Sequence, residues 1–360
     1  MKLENQRVAF PHPEQAIIEN FDIDATLSSD EILLRTQYSL ISPGTELALY
    51  TNRRDVSTGK AYSYPIYPGY AAMGVVDAVG SGVENISPGD RLITLTGHSS
   101  LAKFVPSDSM FLRLPKDLRD DHAPFIRMAL ISLYTLRRAD ILPGEWLGVV
   151  GLGLVGNLGA QFGRHAGLRI ISIGRSTLRS DIANECDINQ ILTGETQEIA
   201  TATRDITNGM GCKLVLDTSG TADGLLSAIA LAGDGATISL VGVPWVTDPN
   251  IPATEIMQPV FSRYLTIEGG WEWGLPLRQQ GANTPLEMLR HRHSVDANAN
   301  YALELIGGGN IHIEPMITHR ITPESIQDVY QGLLHHRNKY LGVLIDWSTH
   351  KYSVKPDKGV

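Results

Sequence analysis

Residues 149–179 read VVGLGLVGNLGAQFGRHAGLRIISIGRSTLR. An apolar run ends in glycines at 151, 153 and 156, a helically spaced stretch follows to Gly167, and a second apolar run fills 168–173. Strand, tight turn, helix and strand in that order is the setting in which G-x-G-x-x-G carries physical meaning. Gly151 permits the turn, Gly153 lets the backbone approach a pyrophosphate, and Gly156 lets helix and strand pack closely. Leu154 and Val155 open the helix, whose N-terminal N–H groups and positive dipole end suit phosphate. In another α/β sheet the same glycines would be an ordinary turn, but the flanking strands and helix favour a dinucleotide.

The end of the second strand then selects among dinucleotides. Sites that prefer NAD place Asp or Glu there to accept hydrogen bonds from the adenosine ribose. Here the place falls on Gly174, followed by Arg175, Ser176 and, a turn later, Arg179. A carboxylate would repel a 2′-phosphate, whereas glycine leaves room and a guanidinium pairs with it bidentately. A charge-assisted contact of this kind contributes about 1.5–3 kcal/mol. The sequence therefore predicts NADP(H), the alternative being a solvated arginine on a loop. Thr218 and Ser219, Val241, Gly242 and Val243, and Gly270 with Trp271 stand at later strand ends. They should complete the pocket, since ligands bind outside the carboxyl ends of parallel strands.

Outward from this unit, the alternation continues. Residues 146–270 read as strands joined by helical crossovers, hence a mostly parallel sheet covered on both faces. Residues 123–141 form an apolar helical pattern. Residues 7–105 read as short strands cut by Pro43-Gly44, Pro68-Gly69 and Pro88-Gly89, the texture of a β-rich barrel or sandwich. After Gly270 come a loop with a polar helix, then helix, strand, helix and a final strand that return to the β-rich domain. The tail from Ser348 is expected to be loosely ordered. The 360 residues suffice for two domains. A formal net charge of -9 argues against nucleic acid as partner. No apolar run reaches the roughly 18 residues of a membrane span, and no secretory signal is read near the start. Cys186 and Cys212 are too few for a disulfide framework or a four-thiolate zinc site, so a reducing cytoplasm is expected.

With these elements in place, ISPGTE (41–46), YPGYAAMGVVDAVGSGVENISPGDRL (67–92), PGEWLGVVGLGLVG (143–156), VLDTSG (215–220) and GVLIDW (342–347) together make nearly the whole chain resemble the medium-chain dehydrogenase/reductase family, of zinc-type alcohol dehydrogenase-like kind. The resemblance implies a GroES-like β-barrel catalytic domain of residues 1–123 and 274–360. It also implies a Rossmann domain of residues 124–273, an active-site cleft between them, and hydride transfer to or from nicotinamide. The region 128–164 is most similar to the branch holding bacteriochlorophyllide hydroxyethyl dehydrogenase and biosynthetic tailoring dehydrogenases. A homodimer is implied too, through 235–242 or 265–270.

The resemblance breaks at the metal. Zinc enzymes of the family carry Cys-Gly-Thr/Ser-Asp where this chain has Pro43-Gly44-Thr45-Glu46, and Gly-His-Glu where it has Gly69-Tyr70-Ala71. The third ligand falls near Ile126 or Arg127, and no four-cysteine lobe occurs. No zinc of either kind is expected, and His98, His122, His291 and His293 read as core or surface residues, lacking a complete ligand set. Without a Lewis acid, charge on a substrate oxygen must be met by hydrogen-bond donors or a proton source. By position Thr45 matches the family's proton-relaying hydroxyl, Tyr70 places a phenol where a ligand stood, and Glu46 would orient Tyr70 or Arg127. The competing readings are that Thr45 caps a turn and Tyr70 fills a vacant metal cavity. Tyr70, Arg127 and Trp271, near Tyr62, Tyr64, Tyr67, Trp245 and Trp273, would line a pocket for a bulky or planar substrate.

Three functions are therefore in view. One is a zinc-independent NADP(H)-dependent oxidoreductase acting on a carbonyl or alcohol of a small-molecule metabolite. Another is a quinone or enone reductase, and the third is a non-catalytic NADPH-binding sensor or structural protein.

Overall fold

The computed structural model describes residues 2–53, 58–245, 248–277, 293–350 and 354–355. The chain opens with β1 (Lys2–Ala9), β2 (Ile17–Asp24), β3 (Ile32–Leu40), α1 (Pro43–Tyr50), β4 (Ala72–Val79), β5 (Arg91–Thr94), β6 (Leu101–Phe104) and β7 (Phe111–Arg113). After α2 (Phe125–Leu136) come β8 (Trp146–Val150), α3 (Leu154–His165), β9 (Arg169–Ile173), α4 (Thr177–Glu185), β10 (Ile191–Leu192), α5 (Thr196–Ile206), β11 (Cys212–Asp217), α6 (Ala222–Leu231), β12 (Ala232–Leu240), α7 (Ala253–Ser262) and β13 (Thr266–Gly269). The helix Val295–Gly307, strand Ile317–Ile321, helix Ile326–His335 and strand Gly342–Asp346 close the fold, and Val354–Lys355 pairs with β1.

The middle of the chain forms one parallel sheet in the order β10-β9-β8-β11-β12-β13. From β8 the strands wind outward first through β9 and then, after a switch, through β11. The crevice of such a doubly wound sheet therefore opens between the carboxyl ends of β8 and β11. The returning C-terminal strands join the N-terminal ones: Ile317–Ile321 pairs parallel with Gly342–Asp346, which pairs antiparallel with β3. Strands β4, β5 and β7 continue that sheet, and β6 pairs with β3. This is the GroES-like plus Rossmann architecture.

Helix α2 joins the two layers. It is buried on almost every face, because Phe125, Ile126, Met128, Ala129, Leu130 and Leu133 share one apolar cluster with Leu40 and Met73 on one side and Leu158 and Leu216 on the other. Full burial of each large side chain contributes about 1.5–3 kcal/mol, and the same burial takes Arg127 out of water.

Several expectations need correction. Pro43-Gly44 is not a turn between strands but the first turn of α1, with Pro in the N-terminal position it favours. Residues 235–242 lie in or next to β12, which is enclosed by β11 and β13, so only 265–270 belongs to an edge. The sequence pattern does not announce β10, α5 or α7. Of the loop and polar helix expected over 274–300, residues 278–292, with the histidine at 291, lie outside the described residues, as does most of the C-terminal tail, while 295–300 begin the helix Val295–Gly307. No described helix is long and apolar enough to cross a membrane.

Candidate active site

The glycine turn is built as its sequence requires. Gly151 adopts φ +90°, and a Cβ on Gly156 would stand 1.9 Å from the Gly151 carbonyl oxygen, so no larger residue fits there. Thr218 closes the turn from β11, its hydroxyl donating to the carbonyls of Val150 at 2.8 Å and Gly151 at 2.9 Å. Gly153 caps α3 without any side-chain hydrogen bond, and a Cβ there would meet nothing within 4 Å. Free helix N–H groups facing open space are what a pyrophosphate needs. Leu154 and Val155 follow as the first residues of α3.

The later strand ends converge on the same crevice. The Asp217 carbonyl accepts from Val241 N at 2.9 Å and Gly242 N at 2.8 Å, while its carboxylate accepts from Ser219 N and Oγ. Burial pushes the Asp217 carboxyl above the usual range, against the pull of those two bonds. The Val243 carbonyl packs on Gly220, and Gly270 N donates to Leu240 O at 2.9 Å. Trp271 next to it is exposed.

At the end of β9 the arrangement differs from expectation. Gly174 does not simply leave room: a Cβ there would stand 2.9 Å from both Leu152 Cδ1 and Ser180 Oγ. Arg175 is exposed and its guanidinium pairs with the Asp223 carboxylate. Ser176 and Arg179 instead carry orphans, since Ser176 Oγ and Arg179 Nε are buried without a hydrogen-bond partner. Open space at Gly153, a helix terminus without a side-chain cap and unsatisfied donors after β9 fit a dinucleotide.

Tyr70, Thr45 and Arg127 come together as a second group. Tyr70 Oη donates to Ser42 Oγ at 2.5 Å and lies 3.4 Å from Thr45 Oγ1. Burial raises the Tyr70 pKa, with Arg127 and the two hydroxyls opposing it, so the phenol keeps its proton at neutral pH. The Arg127 guanidinium lies over the Tyr70 ring at 4.8 Å and the Trp273 ring at 5.0 Å. Its Nη2 donates to Glu272 Oε1 at 2.7 Å, while Nε and Nη1 are buried without a partner. Trp273, not Trp271, is the tryptophan against Arg127. Tyr64 donates to Leu49 O and Tyr67 lies under Arg7, so the tyrosine cluster disperses.

Glu46 orients neither Tyr70 nor Arg127. Its Oε1 accepts from Ser42 N at 2.8 Å, and its Oε2 accepts from the Tyr330 hydroxyl and lies 3.1 Å from His98 Nε2. His98 Nδ1 in turn lies 2.8 Å from Ser39 Oγ, which accepts from Trp347 Nε1 at 2.9 Å. This buried network underpins α1 and hence Ser42 and Thr45. Nothing local in the chain marks Ser42, Glu272 or Tyr330, because only folding brings them here.

A zinc ion does not fit the donors at this place. Pro43 has none, Ile126 is fully buried hydrocarbon, and Glu46 and His98 are engaged with each other and with Tyr330 and Ser39. Asp121, His122 and Glu314 form a triad with potential ligand atoms within 4.8 Å, but Arg119 and Arg320 already pair with both carboxylates.

The fold and crevice define a two-domain nicotinamide dehydrogenase scaffold. A family profile described as zinc-binding dehydrogenase matches residues 155–279. Sorbitol dehydrogenase of Bacillus subtilis (strain 168) is 22% identical over 373 aligned positions, covering 95% of this chain and 97% of that protein. Among solved structures, an Escherichia coli oxidoreductase/dehydrogenase of unknown specificity involved in membrane biogenesis matches with a TM-score of 0.77 at 18% identity, over 95% of this chain and 99% of its own. A Sinorhizobium meliloti 1021 protein described as a zinc-binding dehydrogenase, bound to NADP, matches with a TM-score of 0.73 at 19% identity, over 95% of this chain and 99% of its own. Over nearly its whole length the chain is thus similar to zinc-type alcohol dehydrogenase-like proteins of the medium-chain dehydrogenase/reductase family, and an oxidoreductase activity is supported.

Proposed function

We propose that this protein is a zinc-independent, NADP(H)-dependent oxidoreductase that interconverts a carbonyl and an alcohol on a bulky or planar metabolite. The observation that carries this reading is Arg127, a buried guanidinium with two unpartnered nitrogen donors beside the Tyr70 phenol, which by the family resemblance stands where a metal ligand would be. When bound, the nicotinamide supplies or accepts the hydride. Arg127 stabilises negative charge developing on the substrate oxygen, as preorganised donors do in a site that excludes water. In the reducing direction Tyr70 passes its phenolic proton to that oxygen, and Ser42 and Thr45 hold the phenol by their hydroxyls. The cleft lies between residues 124–273 and the remainder, 1–123 with 274–360. The exposed ring of Trp271 forms one wall for the substrate. Buried thiols at Cys186 and Cys212, both pushed up to about 12 by burial, suit a reducing cytoplasm.

The test is NADPH consumption over a panel of ketones, aldehydes, enones and quinones, before and after exhaustive treatment with a zinc chelator. Turnover of a bulky ketone that survives chelation and falls about 100-fold or more in Tyr70→Phe supports the reading. Loss of turnover on chelation, restored by zinc, sinks it. Turnover confined to enones or quinones moves the reaction to the C=C or quinone class.

A further inference from the structure

Arg175, the residue that the sequence assigns to a 2′-phosphate, already has a carboxylate at Asp223. The arginines without one stand beside it. Arg179 lies in the first turn of α4, and its Nε is buried with no partner. Helix α4 packs against the short helical turn Arg337–Lys339, which belongs to the C-terminal part of the chain on the other side of the cleft.

Among the described residues no carboxylate faces either Arg179 or Arg337. Burial first, and then the Arg337 guanidinium, lower the pKa of Arg179; burial first, and then Arg53, do the same to Arg337. Like charges gathered in partly desolvated surroundings repel, and a buried donor without an acceptor adds to the penalty. One anion with several acceptor oxygens relieves both at once, and a phosphate monoester matches the guanidinium fork. The position narrows the choice. Arg179 follows closely on Gly174 at the end of β9, where the adenosine ribose of a dinucleotide sits, and the orphaned Ser176 Oγ lies between them.

We propose that Arg179 and Arg337 grip the coenzyme's adenosine 2′-phosphate from opposite sides of the cleft, with Arg53 reinforcing the field, and that Arg175 is secondary. The inference rests on the NADP(H) reading above and goes beyond it. It makes the phosphate a tie between the two domains, so phosphorylated coenzyme favours their closure.

Calorimetric titration with 2′-phospho-ADP-ribose and with ADP-ribose separates the two ideas without turnover. Arg337 lies at the surface with only its guanidinium partly desolvated, so Arg337→Gln and Arg337→Glu are expected to fold, as a circular dichroism spectrum would verify. Arg337→Gln should weaken the phosphorylated ligand about tenfold to a hundredfold, and Arg337→Glu more, with ADP-ribose affinity unchanged. Wild-type preference for the phosphorylated ligand that survives both substitutions overturns the clamp and leaves the NADP(H) reading standing. Equal weakening of both ligands assigns Arg337 to the pyrophosphate and also overturns it. No preference in the wild type removes both ideas.

Discussion

Arg127 and Glu272 meet through a 2.7 Å hydrogen bond between side chains that are both almost wholly buried, one on α2 and the other 145 positions away beyond β13. A buried pair of this kind need not add net stability, but removing one partner strands a charge, at about 3–5 kcal/mol. Glu272→Ala should therefore lower the melting temperature strongly. The double replacement Arg127→Met with Glu272→Met should restore much of that stability while leaving turnover abolished. Thermal unfolding together with kcat checks both halves. A double variant that is both stable and active would show that Arg127 plays no part in the chemistry.

The exposed pair of Arg175 and Asp223 has the opposite character. At the surface an ion pair is worth about 0–1 kcal/mol, so Asp223→Asn should leave the melting temperature nearly unchanged. It should also remove a negative charge from the β9 end of the crevice and free Arg175 for an anion. NADPH affinity is then expected to rise severalfold, with NADH affinity altered less, as measured by quenching of intrinsic fluorescence. An unchanged NADPH affinity would place the pair outside the coenzyme's field.

Much of the parallel sheet was legible, because strands covered on both faces are continuous apolar runs and their crossover helices carry a 3.6-residue period. The glycine turn was legible for the same local reason. What stayed hidden depended on distance along the chain. Nothing near Arg175 announces Asp223, and nothing near Arg127 announces Glu272. The helical character of 43–50 was masked by Pro43-Gly44, a pair that reads equally as turn and as helix start. Its meaning is settled by Ser42, whose backbone N–H is held by Glu46 within the Tyr330 and His98 network. The two-residue β10 is too short to show any alternation.

Between the sheets Asp121 accepts from Arg119 and from Arg320, which also holds Glu314. Burial alone would raise the Asp121 carboxyl, but the hydrogen bonds from Arg119 and Arg320 outweigh it and leave the pKa below the usual 3.8. A depressed folded-state pKa means that the contribution is present above the unfolded value and is lost as pH falls through the folded one. Asp121→Asn should thus cost about 1–3 kcal/mol near pH 7. The difference from wild type should shrink below about pH 4 and vanish in stronger acid. Urea unfolding at a series of pH values checks this. A difference that is constant with pH would mean that packing, not charge, is what the substitution removes.

The outer edge of the parallel sheet is β13, with α7 beside it. No residue of α7 is buried, and Met257, Phe261 and Tyr264 are 64%, 87% and 82% exposed. Large apolar side chains next to a strand edge that no described strand pairs are what a second copy of the same edge would cover, by continuing the sheet across a twofold axis. We therefore expect a homodimer in which β13 of each chain pairs with its counterpart and the rings of Phe261 in α7 and Tyr264 just after it pack over the junction. Phe261→Asp with Tyr264→Asp should convert the dimer to monomer without loss of secondary structure. Sedimentation velocity at micromolar concentration reads this directly. A wild-type protein that sediments as a monomer, or a dimer indifferent to both charges, would place the interface elsewhere.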